Sequence, residues 1–235
     1  MNTGCAQLPV PRVLGHLVPG PSFYTVFVDV SRRVLVSLLL SIVAFPALGA
    51  ERPLLVCFGD SITAGYGLQP GQAYSDALQR NLDAAGYKYK VVNEGTSGAT
   101  TKDAVASLRS ILQLKPQVVI VEFGGNDGLR GLPLDETRRN LDAVLTAFGN
   151  SHVKVLLAGI TLPPNYGPDY IQAFESLFRD LAAKHHTAFV PMIYKDLVKV
   201  PDTIQPDGIH PTAKGSEIIA GTLLPALKPL LVRSR

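Results

Sequence analysis

Of the five histidines in the chain, one is placed to do chemistry. His210 lies three residues after Asp207, with Gly208 between them to allow a tight turn and Pro211 beside it to open a helix. A carboxylate that close can hold an imidazole in one tautomer, as a general base requires. Such a base activates a hydroxyl, because free serine is a weak nucleophile. Ser61 is the matching hydroxyl: it sits in Gly59-Asp60-Ser61, where an apolar run turns into a helix or loop. Acyl transfer also needs donors aimed at the oxygen that becomes negative. The candidates are Ser61 N–H, Gly98 N–H in Asn93-Glu94-Gly95-Thr96-Ser97-Gly98, and the Asn126 side-chain amide in Gly124-Gly125-Asn126-Asp127.

Each of these residues also has a plain structural use. Serine is a favoured helix N-cap, asparagine can cap a strand end, and glycine takes positive φ, which is compatible with its N–H also donating. Asp60 is expected to point inward and accept from loop amides, and Asp127 to be structural. Asp202 rivals Asp207 as the partner of His210, but the spacing favours Asp207. His152 precedes a strand and belongs at the far end of the sheet. His185 and His186 end a helix, where a cation suits the dipole. No third ligand stands near them at metal spacing, so no metal site is expected.

The elements that must position these residues alternate. Leu54–Phe58 is a short apolar run that suits a buried strand. Strands are also expected at Tyr89–Val92, Val118–Phe123, Val153–Ala158 and Ala188–Val190. Helical spacing marks Tyr74 to Ala85, Val105 to Leu112, Leu141 to Phe148, Ile171 to Leu181 and about Thr212 to Leu223, with Pro225 and Pro229 fraying the C-terminal end of the last helix. Alternation of this kind implies a parallel five-stranded sheet covered on both faces, a three-layer α/β/α fold. In such folds ligands gather outside the carboxyl ends of the strands. The loops carrying Ser61, Gly98, Asn126 and His210 should therefore converge.

Together Gly59-Asp60-Ser61, Gly98, Gly125-Asn126-Asp127 and Asp207-x-x-His210 resemble the four blocks of the SGNH, or GDSL, hydrolases, over about Leu54 to Gly221. The segment Glu122–Gly131 is similar to the periplasmic thioesterase I, arylesterase and lysophospholipase group. The resemblance implies a flavodoxin-like fold with no cofactor. It implies Ser61, Asp207 and His210 as the triad, and Gly98 and Asn126 as oxyanion donors beside Ser61 N–H. It also implies a small-molecule ester or thioester substrate, with carbohydrate-ester deacetylation as the alternative and a non-catalytic binding domain as a remote one. Ile62-Thr63 departs from the usual Leu-Ser, which bears on substrate preference. Leu129–Leu134 aligns with a mobile substrate-contacting loop that Pro133 would stiffen. Leu129, Leu132, Pro163 and Pro164 are the candidate wall of an acyl pocket.

The first 49 residues read as a leader ahead of a single domain, 50–235. Arg32 and Arg33 precede the apolar stretch 34–45, and Ala47-Leu48-Gly49 is a small-x-small cleavage signal: a signal peptide over about 32–49. An uncleaved membrane anchor or a core helix is the alternative. The residues before it are unusual for such a signal, which suggests that translation starts near Val26 or Val28. The expected location is periplasmic or secreted, with no stable membrane association once the leader is cleaved. Of two cysteines, Cys5 and Cys57, only Cys57 survives cleavage, so no internal disulfide forms, and Cys57 reads as a small buried hydrophobe. A net charge of +3 with no basic stripe excludes a nucleic-acid footprint. The expected state is a monomer.

Overall fold

The computed structural model describes residues 51–233. The expected leader, the alternative start, Cys5 and His16 lie outside the described residues. The apolar runs form five strands: β1 (Leu54–Gly59), β2 (Lys90–Gly95), β3 (Val118–Glu122), β4 (Lys154–Ala158) and β5 (Ala188–Val190). All neighbouring pairs are parallel, in the order β2-β1-β3-β4-β5. β3 is buried at every position and β1 from Leu55 onward, as central strands covered on both faces must be.

The helices are α1 (Ser61–Ala64), α2 (Tyr74–Ala84), α3 (Thr101–Gln113), α4 (Gly125–Leu129), α5 (Leu134–Asn150), α6 (Pro168–His185) and α7 (Ala213–Leu227). The β1–β2 connection runs across the sheet in the opposite sense to the later crossovers. Right-handed crossovers therefore put α2 on one face and α3, α5 and α6 on the other. α7 returns to pack on α2. The result is the three-layer flavodoxin-like α/β/α fold. Apolar stripes close the layers: on α6, Phe174, Leu177, Phe178 and Leu181 recur at helical spacing and are all buried. Each such side chain removed from water contributes roughly 1.5–3 kcal/mol.

Several element ends shift from the sequence expectation, as α5 does by starting at Leu134, and in two elements the physical cause is clear. β2 begins after Tyr89 and runs on through Asn93 and Glu94 to Gly95, because its backbone pairs with the whole length of β1, from Leu54↔Lys90 to Gly59↔Gly95. The two polar residues point to opposite faces of this edge strand, and the Asn93 amide is satisfied by the Thr63 carbonyl at 2.7 Å and Ser75 Oγ at 2.9 Å. α7 passes through Pro225 to Leu227 instead of fraying there. Burial of Leu223 and Leu227 against the core holds the last turn despite the missing N–H.

The sheet order reverses between β1 and β3. That crevice is the switch point where a ligand is expected in an open parallel sheet. Ser61 follows β1 and Asn126 follows β3, so the fold brings both to it.

Candidate active site

Ser61 is the first residue of α1, a single helical turn. Asp60 caps it, accepting the Ile62 N–H at 3.0 Å, and Gly65 ends it in the left-handed region at φ 77°. The turn folds tightly back onto the sheet. A Cβ on Gly59 would lie 2.0 Å from Thr63 Oγ1 and 2.6 Å from the Glu122 carbonyl oxygen, so only glycine permits the approach. Ser61 is thereby held above the β1–β3 crevice with its hydroxyl facing outward.

The facing loop between β5 and α7 delivers His210. The Ile204–Pro211 bridge, the Gln205 N–H to the His210 carbonyl (2.8 Å) and the Tyr194 hydroxyl to the Ile209 carbonyl (2.8 Å) fix its path. Gln205 Nε2 also donates to the carbonyl of Tyr66 at 2.8 Å, tying this loop to the one after Ser61. His210 Nε2 lies 2.8 Å from Ser61 Oγ, and His210 Nδ1 lies 2.7 Å from Asp207 Oδ2. Asp207 Oδ1 accepts the N–H groups of Ile209 (2.9 Å) and His210 (3.0 Å) across Gly208, which takes φ 74°. Slight burial works against the Asp207 charge, but these backbone N–H groups and the His210 ring hold its carboxyl below the usual range. An anionic Asp207 accepts a hydrogen bond from Nδ1–H, which keeps the proton on that nitrogen and leaves Nε2 free to accept from the Ser61 hydroxyl. Asp202 stands aside from this pair: among the described residues its carbonyl accepts from Thr212 Oγ1, and its carboxyl does not meet His210. The exposed Tyr66 ring covers the imidazole, with centroids 4.6 Å apart.

Gly98 takes φ 80° and lines the same cavity as Ser61 and Asn126. Its carbonyl is pinned by Arg130 Nη2 at 2.9 Å. Asn126 Nδ2 donates to the Ala99 carbonyl at 2.9 Å and to Asp60 Oδ2 at 3.1 Å. α4 therefore grips the Gly98–Ala99 loop at two successive carbonyls. Asp127 turns away and accepts the Thr101 N–H and hydroxyl, which makes it a tie between α4 and α3.

These groups open onto a cavity of about 470 Å³. Ile62, Leu129, Ile160, Leu162, Pro163 and Pro164 form its apolar wall. The Tyr166 hydroxyl donates to the Leu129 carbonyl at 2.7 Å and joins the two sides of that wall. Leu132 must be corrected: it lies outside the cavity. Its N–H closes the turn after α4 on the Asp127 carbonyl, and its own carbonyl faces Tyr170, which carries the chain away from the crevice. Thr63 also departs from its expected bearing on substrate. It is fully buried, donates to Glu122 Oε2 at 2.8 Å and contacts the Tyr74 hydroxyl at 2.9 Å. Only Ile62 of that pair meets the cavity.

Sequence reasoning missed Tyr66, Gln205 and Glu122. Glu122 had a visible signal, a lone carboxylate inside the apolar run Val118–Phe123. Tyr66 and Gln205 had none, since their roles depend on two distant loops meeting.

Residues 57–218 match the GDSL-like lipase/acylhydrolase family. Esterase TesA of Pseudomonas aeruginosa is 41% identical over 201 residues, covering 85% of this chain and all of that protein. The thioesterase 1/protease 1/lysophospholipase L1 of Escherichia coli K12 is 34% identical over 206 residues, covering 87% of this chain and 97% of that protein. The crystal structure of the psychrotrophic esterase EstA from Pseudoalteromonas sp., inhibited by monoethylphosphonate, superposes with a TM-score of 0.71 at 30% identity, covering 75% of this chain and 97% of that one.

Proposed function

Since the chain belongs to the GDSL-like lipase/acylhydrolase family, we infer that it is a serine hydrolase cleaving carboxylic esters and thioesters through an acyl-enzyme on Ser61. The observation that carries this reading is the hydrogen-bond chain Asp207–His210–Ser61 opening on an apolar cavity.

His210 Nε2 takes the Ser61 proton as Oγ attacks the carbonyl carbon. Asp207 stabilises the imidazolium that forms. The oxyanion is met by Ser61 N–H, Gly98 N–H and the Asn126 amide, each worth about 3 kcal/mol to the transition state. His210 then gives its proton to the departing alkoxide or thiolate, and the acyl-enzyme remains. Water, deprotonated by the same nitrogen, attacks the acyl carbon and returns Ser61.

The relatives' names, esterase and thioesterase/lysophospholipase, differ in the leaving group and share an acyl group. An apolar wall fits the part they share, and the cavity volume lies within the usual range for small-molecule sites. The substrate class is therefore an ester or thioester with a fatty or aromatic acyl group. Ser61→Ala should abolish covalent labelling by an alkylphosphonate and remove aryl-ester turnover. Labelling that persists in this variant would refute the assignment. Rates on acyl chains of graded length should rise beyond acetyl, and a preference confined to acetyl would instead support a deacetylase.

The same reading places the mature chain in the periplasm or outside the cell. The charged and apolar pattern of 32–49 supports this. N-terminal sequencing of the exported protein should start at Ala50. Recovery of 32–49 in a membrane fraction would point to an anchor.

A further inference from the structure

Directly beneath Ser61 lies a buried polar chain that the triad does not use. Tyr74 OH meets Thr63 Oγ1 at 2.9 Å, and Thr63 donates to Glu122 Oε2 at 2.8 Å. Glu122 is 1% exposed, and among the described residues no N–H or O–H reaches its other oxygen, Oε1. The charge that bears on it is the carboxyl of Asp60, itself 2% exposed. Asp60 is already committed: Oδ1 to Ile62 N–H at 3.0 Å and Oδ2 to Asn126 Nδ2 at 3.1 Å. The two segments are also joined by the Asp60 N–H to the Glu122 carbonyl at 3.2 Å.

Two carboxylates that lie together out of water cannot both be charged. One proton must be held between them, and the donors are unevenly divided. Asp60 has two N–H partners, whereas Glu122 has one hydroxyl and an orphaned oxygen. The proton therefore belongs on Glu122, whose Oε1 is the oxygen left without a donor. Burial and the Asp60 charge both push the Glu122 carboxyl well above the usual range, in agreement.

This bears on the oxyanion. Both hydrogens of the Asn126 amide have protein acceptors, and the longer bond is the one to Asp60. A negative oxygen arriving in the cavity must draw that N–H away from Asp60. We propose that Glu122 is a positioning residue, keeping its proton and donating it to Asp60, so that Asp60 orients Asn126 yet yields its N–H to the oxyanion. Without that donor, Asp60 depends on Asn126 and holds it. The inference rests on the reading of Asn126 as an oxyanion donor.

Glutamine at 122 reproduces a neutral acid: its carbonyl accepts from Thr63 and its N–H donates to Asp60. Glu122→Gln should therefore keep kcat on an aryl ester within about threefold. Glu122→Leu should lower kcat at least about tenfold, short of the ~10²–10³-fold of losing an oxyanion donor outright, with KM nearly unchanged. A glutamine variant that loses more than tenfold, or a leucine variant with full kcat, would overturn the proposal. If Glu122→Leu does not fold, infrared difference spectra of wild type against Glu122→Gln decide it. A protonated-carboxyl C=O band at neutral pH, absent from the variant, is expected, and no such band in the wild type overturns the proposal. The infrared readout needs no turnover. Failure of Ser61→Ala to abolish labelling would sink the hydrolase reading separately.

Discussion

Asp207 and Asp60 flank the same serine–histidine pair and are treated in opposite ways. The Asp207 side chain is 37% exposed, and three N–H groups hold its carboxyl below the usual range. Asp60 is 2% exposed, and burial pushes its carboxyl up to about 6 even though Ile62, Glu122 and Asn126 oppose the shift. The difference lies in the task. In the proposed cycle Asp207 stays an anion throughout, and water beside it makes that charge easy to keep. On the proposal above, Asp60 keeps neighbouring groups aligned without pulling hard on any one, and a dry site with a shared proton does that.

The largest test of this contrast is on the wet side. Asp207→Asn should lower kcat/KM on an aryl ester by about 10³-fold, somewhat less than for a buried triad aspartate because water can partly replace the lost carboxylate. A loss below about tenfold would mean that the carboxylate is dispensable and that the two arms do not differ in the way argued. Next comes the dry side. Asn126→Ala should cost about 10²–10³-fold in kcat with a small change in KM, as loss of one oxyanion donor does. Equal losses through KM would instead mark Asn126 as a ground-state contact.

The smallest effect is on stability. Folding must keep a proton on Glu122 that the unfolded chain releases above the ordinary carboxylate pKa of about 4.3. The wild type therefore loses stability as pH rises above that value, and Glu122→Gln is spared this contribution. The variant's advantage in urea unfolding should be near zero at pH 4 and grow by up to about 1.4 kcal/mol per pH unit above that. The titratable groups around Glu122 are Asp60, Tyr74 and Tyr194, and of these Asp60, with its own raised value of about 6, adds loss in the same direction in both proteins. An advantage that does not change with pH would show Glu122 ionised in the fold. Asp207 runs the other way: its contribution is present above the ordinary carboxylate range and is lost as the solution is acidified through its lowered value.

The legible parts of the site are those carried by local spacing. Asp207, Gly208 and His210 form one turn, so their pairing needs no tertiary knowledge. Ser61 and Asn126 stand directly after apolar strands, and the strand-end rule brings such loops together. Leu129 and Leu132 look equivalent in the sequence, but the turn that closes α4 on the Asp127 carbonyl sends only Leu129 to the cavity. The full extent of β2 is not legible, because Asn93 and Glu94 look unlike a strand until β1 pairs with them.

Composition and order along the chain were enough to determine the sheet, its parallel sense and the four blocks at its carboxyl edge, because hydrophobic periodicity and short connections act within neighbouring residues. The tertiary structure alone decided that Glu122 meets Asp60, that Gln205 ties two loops, and that Tyr66 lies over His210. Those outcomes depend on through-space contacts between segments far apart in the chain, and on the desolvation that only a closed core imposes on a carboxyl group.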